Sequence, residues 1–442
     1  MFIYVICTID INCLFSIFCF VKLFITLMRK NSCPMLVFGL MLLNLAWQQP
    51  YSSSEIFNVL DYGAVDDDTV DSSLAFLDAW DAACTSMTNL STIIVPREAT
   101  FLVCPTAFVG PCNANSINFQ ILGNIVAPNS PSAWEGLDPS QWLVFKQVTG
   151  LSVYGSGIID GQGSGWWNQS CKYHPHLIGC TKVAPTALKF LSCSEMILSE
   201  VSIIDSPQTH VTMAGCNVFQ VHGISISSPG NSPNTDGIHL QRARNVIITN
   251  SRIRAGDDCV SIGDYTSNIN ILNVTCGPGH GISIGSLGRG GNFVRVENIN
   301  VKDIYLSGTT NGVRIKTWQV GRGYVRRAIF ENLYFRSVMN PIIIDQNYCD
   351  VKGGCKEEEE TGVWISEVLY KGVYGTSISK TAINLNCSSS VPCTDIVLDS
   401  IVLWPAKRKM ELASFCNNAY GTTSSLIQPA SCLDNSSSTS ED

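Results

Sequence analysis

At 442 residues the chain is long for one compact domain, and its formal net charge of −8 excludes a nucleic-acid binder, whose affinity rests on many Lys and Arg contacts to phosphate. Apolar residues make up 45%, charged residues 14%, and there are 35 glycines. That balance excludes a disordered chain and points to a strand-rich body with many turns. An anionic ligand would need a local basic site.

Residues 1–50 read as a targeting region. Met28, Arg29 and Lys30 precede an apolar run over 35–47 and then a polar, small-residue stretch, the layout of a secretory signal spanning 28–50. Residues 1–27 hold Asp10 and Lys22 and make a poor membrane helix, so they read as a mis-extended start; an uncleaved anchor is the rival reading. Export accords with nineteen cysteines, a heavy load for a reducing compartment. Cleavage near residue 50 removes Cys7, Cys13, Cys19 and Cys33 and leaves fifteen, so one thiol is expected to stay unpaired. Short spacings suggest Cys104 with Cys112, Cys171 with Cys180, Cys259 with Cys276, Cys349 with Cys355, and Cys387 with Cys393, although sequence does not fix connectivity. No paired CxxC spacing suggests a metal site. Sequons begin at Asn89, Asn168, Asn273, Asn386 and Asn435.

From Phe57 an extended stretch leads into Leu74, Phe76, Leu77 and Trp80, whose spacing predicts one helix ending near Ala83. Beyond it, segments 150–159, 196–204, 218–226 and 245–253 are short β-branched runs cut by Gly, Asn, Ser and Asp, which predicts many short strands. One phrase recurs: Asp236-Gly-Ile-His-Leu240, Asp258-Cys-Val-Ser-Ile262 and His280-Gly-Ile-Ser-Ile284 begin 22 residues apart, and Asn311-Gly-Val-Arg-Ile315 follows 31 later. Its third and fifth positions are always Ile, Leu or Val, so they face inward, while the first and fourth meet another environment. A period of this length built from short strands indicates a solenoid. In a parallel β-solenoid, equivalent positions stack at roughly 4.8 Å, so Asp236, Asp258 and His280 are expected to form a column.

The column suits glycoside hydrolysis, which needs one carboxylic acid to protonate the departing oxygen and one carboxylate to activate water or attack the sugar. Asp257, beside Asp258, adds a third carboxyl group, and Gly256 before it could permit an unusual backbone there. Crowding of like charge should raise the pKa of at least one aspartate. Arg314 and Lys316 alternate on the next coil, so both can face the same cleft and pair with a sugar carboxylate. That supplies the basic site an acidic chain lacks elsewhere.

At these residues the sequence resembles the polygalacturonases of glycoside hydrolase family 28, plant type. The resemblance rests on Ser232-Pro-Asn-Thr-Asp-Gly-Ile238, Gly256-Asp-Asp-Cys259, Gly279-His-Gly281 and Arg314-Ile-Lys316, in order. It extends through Asp61 to Ala64, Asp160 to Gly163, Trp166 and Trp167, Pro185 to Leu188, and Asp345 to Cys349. It implies a single elongated domain over 51–442, an all-β, right-handed parallel β-helix. It also implies hydrolysis of α-1,4-galacturonosyl bonds in de-esterified pectin with inversion, in the plant cell wall. Asp257 would be the general acid, Asp236 and Asp258 would hold the attacking water, and His280 would support the acid. Asn234, Arg314, Lys316 and Tyr348 would bind substrate. No cofactor or metal is implied; the expected partner is pectic polysaccharide as substrate, and the protein is expected to be a monomer without stable membrane association.

Departures from the family pattern are Asp66 to Asp68 after Ala64, and Val320-Gly-Arg-Gly323 after Gln319, where Arg322 is expected to alter a subsite near Lys316. Three rivals remain: a rhamnogalacturonan hydrolase, a calcium-dependent pectate lyase on the same solenoid, and a non-catalytic wall-binding relative. Endo and exo cleavage are not separable from sequence.

Overall fold

The structure, a computed structural model, describes residues 54–349 and 361–434. The expected signal over 28–50, Cys355 and Asn435 lie outside the described residues. Two parallel sheets, one of 20 strands and one of 11, wind together as a right-handed β-helix. The coil arises because each short apolar run buries its Ile, Leu and Val columns inside while a polar turn redirects the chain. Segment 196–204, for instance, forms strands Ser194–Ser199 and Ser202–Ile204, and segment 245–253 forms Arg244–Thr249 and Arg252–Arg254. No helix among the described residues is long and apolar enough to cross a membrane.

Helix α1 (Ser73–Thr85) closes the N-terminal end of the coil. Phe76 and Trp80 are buried as the spacing predicts, but Leu74 is 75% exposed, and the buried stripe is completed by Ala75, Ala79 and Ala83. Phe76 meets Phe101 edge-on at 5.7 Å, and Trp80 packs on Phe108 at 5.4 Å. An aromatic file continues inside the coil from Phe108 through Phe145 and Phe190 to Phe219, with ring centroids 4.9 to 5.5 Å apart. Apolar burial of that kind is the main stabilising term for a body with so few helices.

The same helix explains why Cys104 and Cys112 do not pair. Cys84, in its last turn, bonds Cys112, whereas Cys104 lies by its first turn, where its N–H donates to Ser73 Oγ at 2.7 Å. The helix length, about 20 Å for 13 residues, separates the two places. Cys171–Cys180, Cys259–Cys276 and Cys387–Cys393 form as expected, and Cys416–Cys432 is an additional bridge. Among the described residues Cys104, Cys193 and Cys216 are free, not the single thiol expected.

Candidate active site

Five consecutive strands of the smaller sheet carry the site: β1 (Ile238–Gln241), β2 (Val260–Ile262), β3 (Ile282–Leu287), β4 (Asn311–Trp318) and β5 (Asn340–Tyr348). Their register is the one the repeat predicts, Ile238 against Val260 against Ile282 against Val313. Asp236 and Asp258 therefore occupy the same place before successive strands, and the Gly237 N–H donates to the Asp258 carbonyl at 2.8 Å. Fourth-position residues make the neighbouring column, His239, Ser261, Ser283 and Arg314.

The two columns are cross-wired. Ser261 Oγ donates to Asp236 Oδ2 at 2.8 Å, and Ser283 Oγ donates to Asp258 Oδ1 at 2.8 Å, so each acid is held from the following coil. His239 Nδ1 lies 2.8 Å from Ser261 Oγ, and burial lowers the His239 pKa to about 4, keeping its ring neutral near pH 7.

Asp258 is 1% exposed and is clamped from two coils away. Arg314 Nη2 donates to Oδ1 at 2.8 Å and Lys316 Nζ to Oδ2 at 3.0 Å. The sequence predicts a basic pair facing the cleft to meet a sugar carboxylate; the structure adds that the pair also neutralises a protein carboxylate. The reason is physical, since a charge this deep is tolerated only when paired and hydrogen-bonded. Both cations still line the cleft. Tyr348, in register with Trp318, places its ring 5.4 Å from Lys316 Nζ.

Gly256 serves close approach and not an unusual φ. A Cβ there would lie 2.0 Å from the Ser232 carbonyl oxygen, so only glycine lets the two turns nest. In that turn Asp257 escapes strand alternation and faces the same cleft as Asp236 and Asp258. Its Oδ1 is 2.8 Å from His280 Nδ1, and its Oδ2 accepts from Lys172 Nζ at 2.8 Å. Lys172, a cleft-lining partner of Asp257, is a residue that sequence reasoning missed. It sits in the loop that Cys171–Cys180 closes, outside the repeat, and the only sequence signal was a lysine beside a short-range cysteine pair.

These partners divide the three acids electrostatically. Burial strongly raises the Asp236 pKa, and the negative charges of Asp257 and Asp258 add to it. Burial would also raise Asp257, but the His280 hydrogen bond and charge, followed by Lys172, outweigh it and hold that carboxyl below the usual range. These shifts make Asp236 the acid that most readily holds a proton and Asp257 the one that most readily carries charge, and the coupled acids titrate as a unit.

All eight residues expected at the site line one cleft of 610 Å³, which also holds Lys172 and His239. Arg322 does not; it lines a separate 540 Å³ hollow with Phe293 and Trp364. Ligand atoms of Asp257, Asp258 and His280 gather within 4.8 Å, close enough to hold a cation. Both carboxylates are already paired with Lys172, Arg314 and Lys316, so a divalent ion there would have to compete with three cations.

This arrangement can protonate a leaving oxygen and position water beside an anionic sugar. The chain is 42% identical over 386 residues to a probable polygalacturonase from Arabidopsis thaliana, covering 87% of this chain and 86% of that one. It is also 42% identical over 378 residues to a polygalacturonase from Prunus persica, covering 85% and 93%. In fold it is similar to the exopolygalacturonase from Thermotoga maritima, with a TM-score of 0.66 at 19% identity over 85% of this chain and 92% of that one. The sequence pattern of the glycosyl hydrolases family 28 matches residues 84–425, and the chain belongs to that family.

Proposed function

We propose that this protein is a secreted cell-wall polygalacturonase that hydrolyses the α-1,4-galacturonosyl bonds of de-esterified pectin with inversion. The observation that carries the reading is the convergence of three carboxyl groups and three cations, Lys172, Arg314 and Lys316, in one cleft. Carboxyls supply acid and base, and the cations match an anionic sugar. The relatives named polygalacturonase from Arabidopsis thaliana and Prunus persica support the substrate class.

On this reading Asp257 delivers the proton to the departing oxygen, while Asp236 and Asp258 hold the attacking water. An incoming sugar carboxylate draws Lys172 from Asp257, and the proton moves from Asp236 to Asp257. Asp236 is then ionised where water must be activated, and Asp257 is protonated where the leaving group departs. His280 steadies Asp257, and Asn234, Arg314, Lys316 and Tyr348 meet the sugar.

Incubation with polygalacturonate is expected to release new reducing ends at a rate unaffected by chelator, with no unsaturated sugar. Unsaturated products, or calcium dependence, would replace hydrolysis by elimination. Product length over time separates internal from terminal cleavage.

Lys172 sets a pH dependence. A general acid must carry its proton, so kcat/KM falls as pH rises through the acid's pKa. Lys172→Met removes one cation that favours the ionised form, so the descending limb is expected to move to higher pH, accompanied by a raised KM. A pH profile of kcat/KM checks this; an unmoved limb would show that Lys172 does not control the acid.

A further inference from the structure

A second trough begins one peptide bond from the catalytic cleft. Gln241 and Asp264 line the cleft, and the residues that follow them, Arg242 and Tyr265, line a separate concavity of 1040 Å³. It lies where strands of the site-bearing sheet hand over to the larger sheet. Asn217, Arg244, Ser267 and Glu297 stand in register along it, and Tyr324, paired with Arg295, belongs to a fifth coil. Five strands at the usual spacing make a run of about 19 Å, parallel to the cleft and around one corner from it.

The charge in this trough is unbalanced. Arg242, Arg244 and Arg295 are exposed, and among the described residues none forms an ion pair. Glu297, the acid that lines the trough, is already taken by Arg326, at 2.8 Å, and by Arg327. Three guanidinium groups outside any ion pair, Arg242 with Asp264 as a more distant charge neighbour, stand out in a chain whose net charge is −8. The base is rigid, because Asn245, Asn268 and Asn298 each donate a side-chain N–H to the preceding rung, beginning at Asn217, at 2.8 to 3.0 Å. Two aromatic rings line the trough as well: Tyr265, whose ring centre lies 5.9 Å from the Arg242 guanidinium, and Tyr324, which stacks on the ion-paired Arg326 at 4.5 Å.

Guanidinium forks bind carboxylates through two hydrogen bonds, and tyrosine combines an apolar ring face with a polar tip. Repeated over several coils, this pairing fits a polymer whose every sugar carries a carboxylate. We propose that the trough is a non-catalytic binding site for a second stretch of galacturonan, holding the polymer beside the cleft that cuts it. The proposal rests on the polygalacturonase reading for its choice of polymer. Its benefit is effective concentration: a second contact on one polymer raises apparent affinity without any new contact in the cleft.

The test compares wild type with Arg242→Gln/Arg244→Gln/Arg295→Gln. On long polygalacturonate the variant is expected to show KM raised about tenfold with kcat unchanged, a conservative share of the avidity that linked sites give. On trigalacturonate, too short to reach both places, both constants should stay at wild-type values. Retention on a polygalacturonate gel should weaken in the triple variant and persist against dextran sulfate of equal charge. An unchanged KM on the long polymer overturns the proposal, as does equal displacement by dextran sulfate, which would mark a general polyanion surface. The substituted arginines are exposed, and an unaltered thermal midpoint confirms that the variant is folded. Should wild type fail to cut polygalacturonate at all, the functional reading falls, while gel retention still reports on the trough.

Discussion

Asp257→Asn is expected to lower turnover of polygalacturonate by about a thousandfold, within the range a positioned general acid contributes, while substrate affinity and the unfolding midpoint stay near wild type. The fold should tolerate the change because the substitution is nearly isosteric. Lys172, whose side chain is 36% exposed, can return to solvent once its partner is neutral. The role itself is tested by the leaving group. An aryl galacturonide departs as a stable phenolate and needs little protonation, so the loss should shrink sharply on that substrate. An equal loss on both substrates would mean that Asp257 is not the acid. Asp236→Asn should lose as much on the aryl substrate as on the polymer, because water must still be activated. The distinction matters because burial raises the Asp236 pKa, whereas at Asp257 the contacts with His280 and Lys172 outweigh burial and lower it.

Asp258→Asn is expected to fail twice. Activity should drop by about a thousandfold, and stability should fall by about 3–5 kcal/mol, the cost of removing one partner from a buried ion pair. Arg314 and Lys316, with side chains 14% and 9% exposed, would be left facing each other without a counter-charge. Urea denaturation measures the stability loss, and Asp258→Asn/Lys316→Met should recover part of it without recovering activity. A single variant as stable as wild type would remove the argument that Asp258 holds the two cations in place.

The fold was legible because a period-two strand pattern repeated every 22 residues fixes register as well as element type. Asp236, Asp258, Ser261, Ser283 and Arg314 could be placed on coils from that phrase alone, and the ladder pairs them accordingly. Lys172 could not be placed, because its loop carries no repeat and reaches the site across the coil. The cysteine pairing at the N-terminal end went astray for a related reason. Eight residues separate Cys104 from Cys112 in sequence, but the length of α1 separates them in space. Nor could sequence tell which aspartate keeps the proton. Crowding predicts that one of the three is shifted upward, and the shift falls on Asp236, the acid that is buried and that no cation reaches within hydrogen-bond distance.

Arg314 and Lys316 grip Asp258 across an intervening coil, and that coil presents Ser283 and Gly285 beneath them. Ser283 is both in register with Arg314 and hydrogen-bonded to its Nε at 3.0 Å, and a Cβ on Gly285 would fall 2.1 Å from the Lys316 carbonyl oxygen. Catalytic geometry in this solenoid therefore depends on an empty lane as much as on charged ends. Lengthening the coil by one turn between Asp258 and Arg314 would move the cations about 4.8 Å farther, beyond what either side chain could span. Whole-turn insertions should be tolerated before the Lys172 loop and after Tyr348 but not between them. The repeat that makes this architecture extensible is locked in number where the chemistry happens.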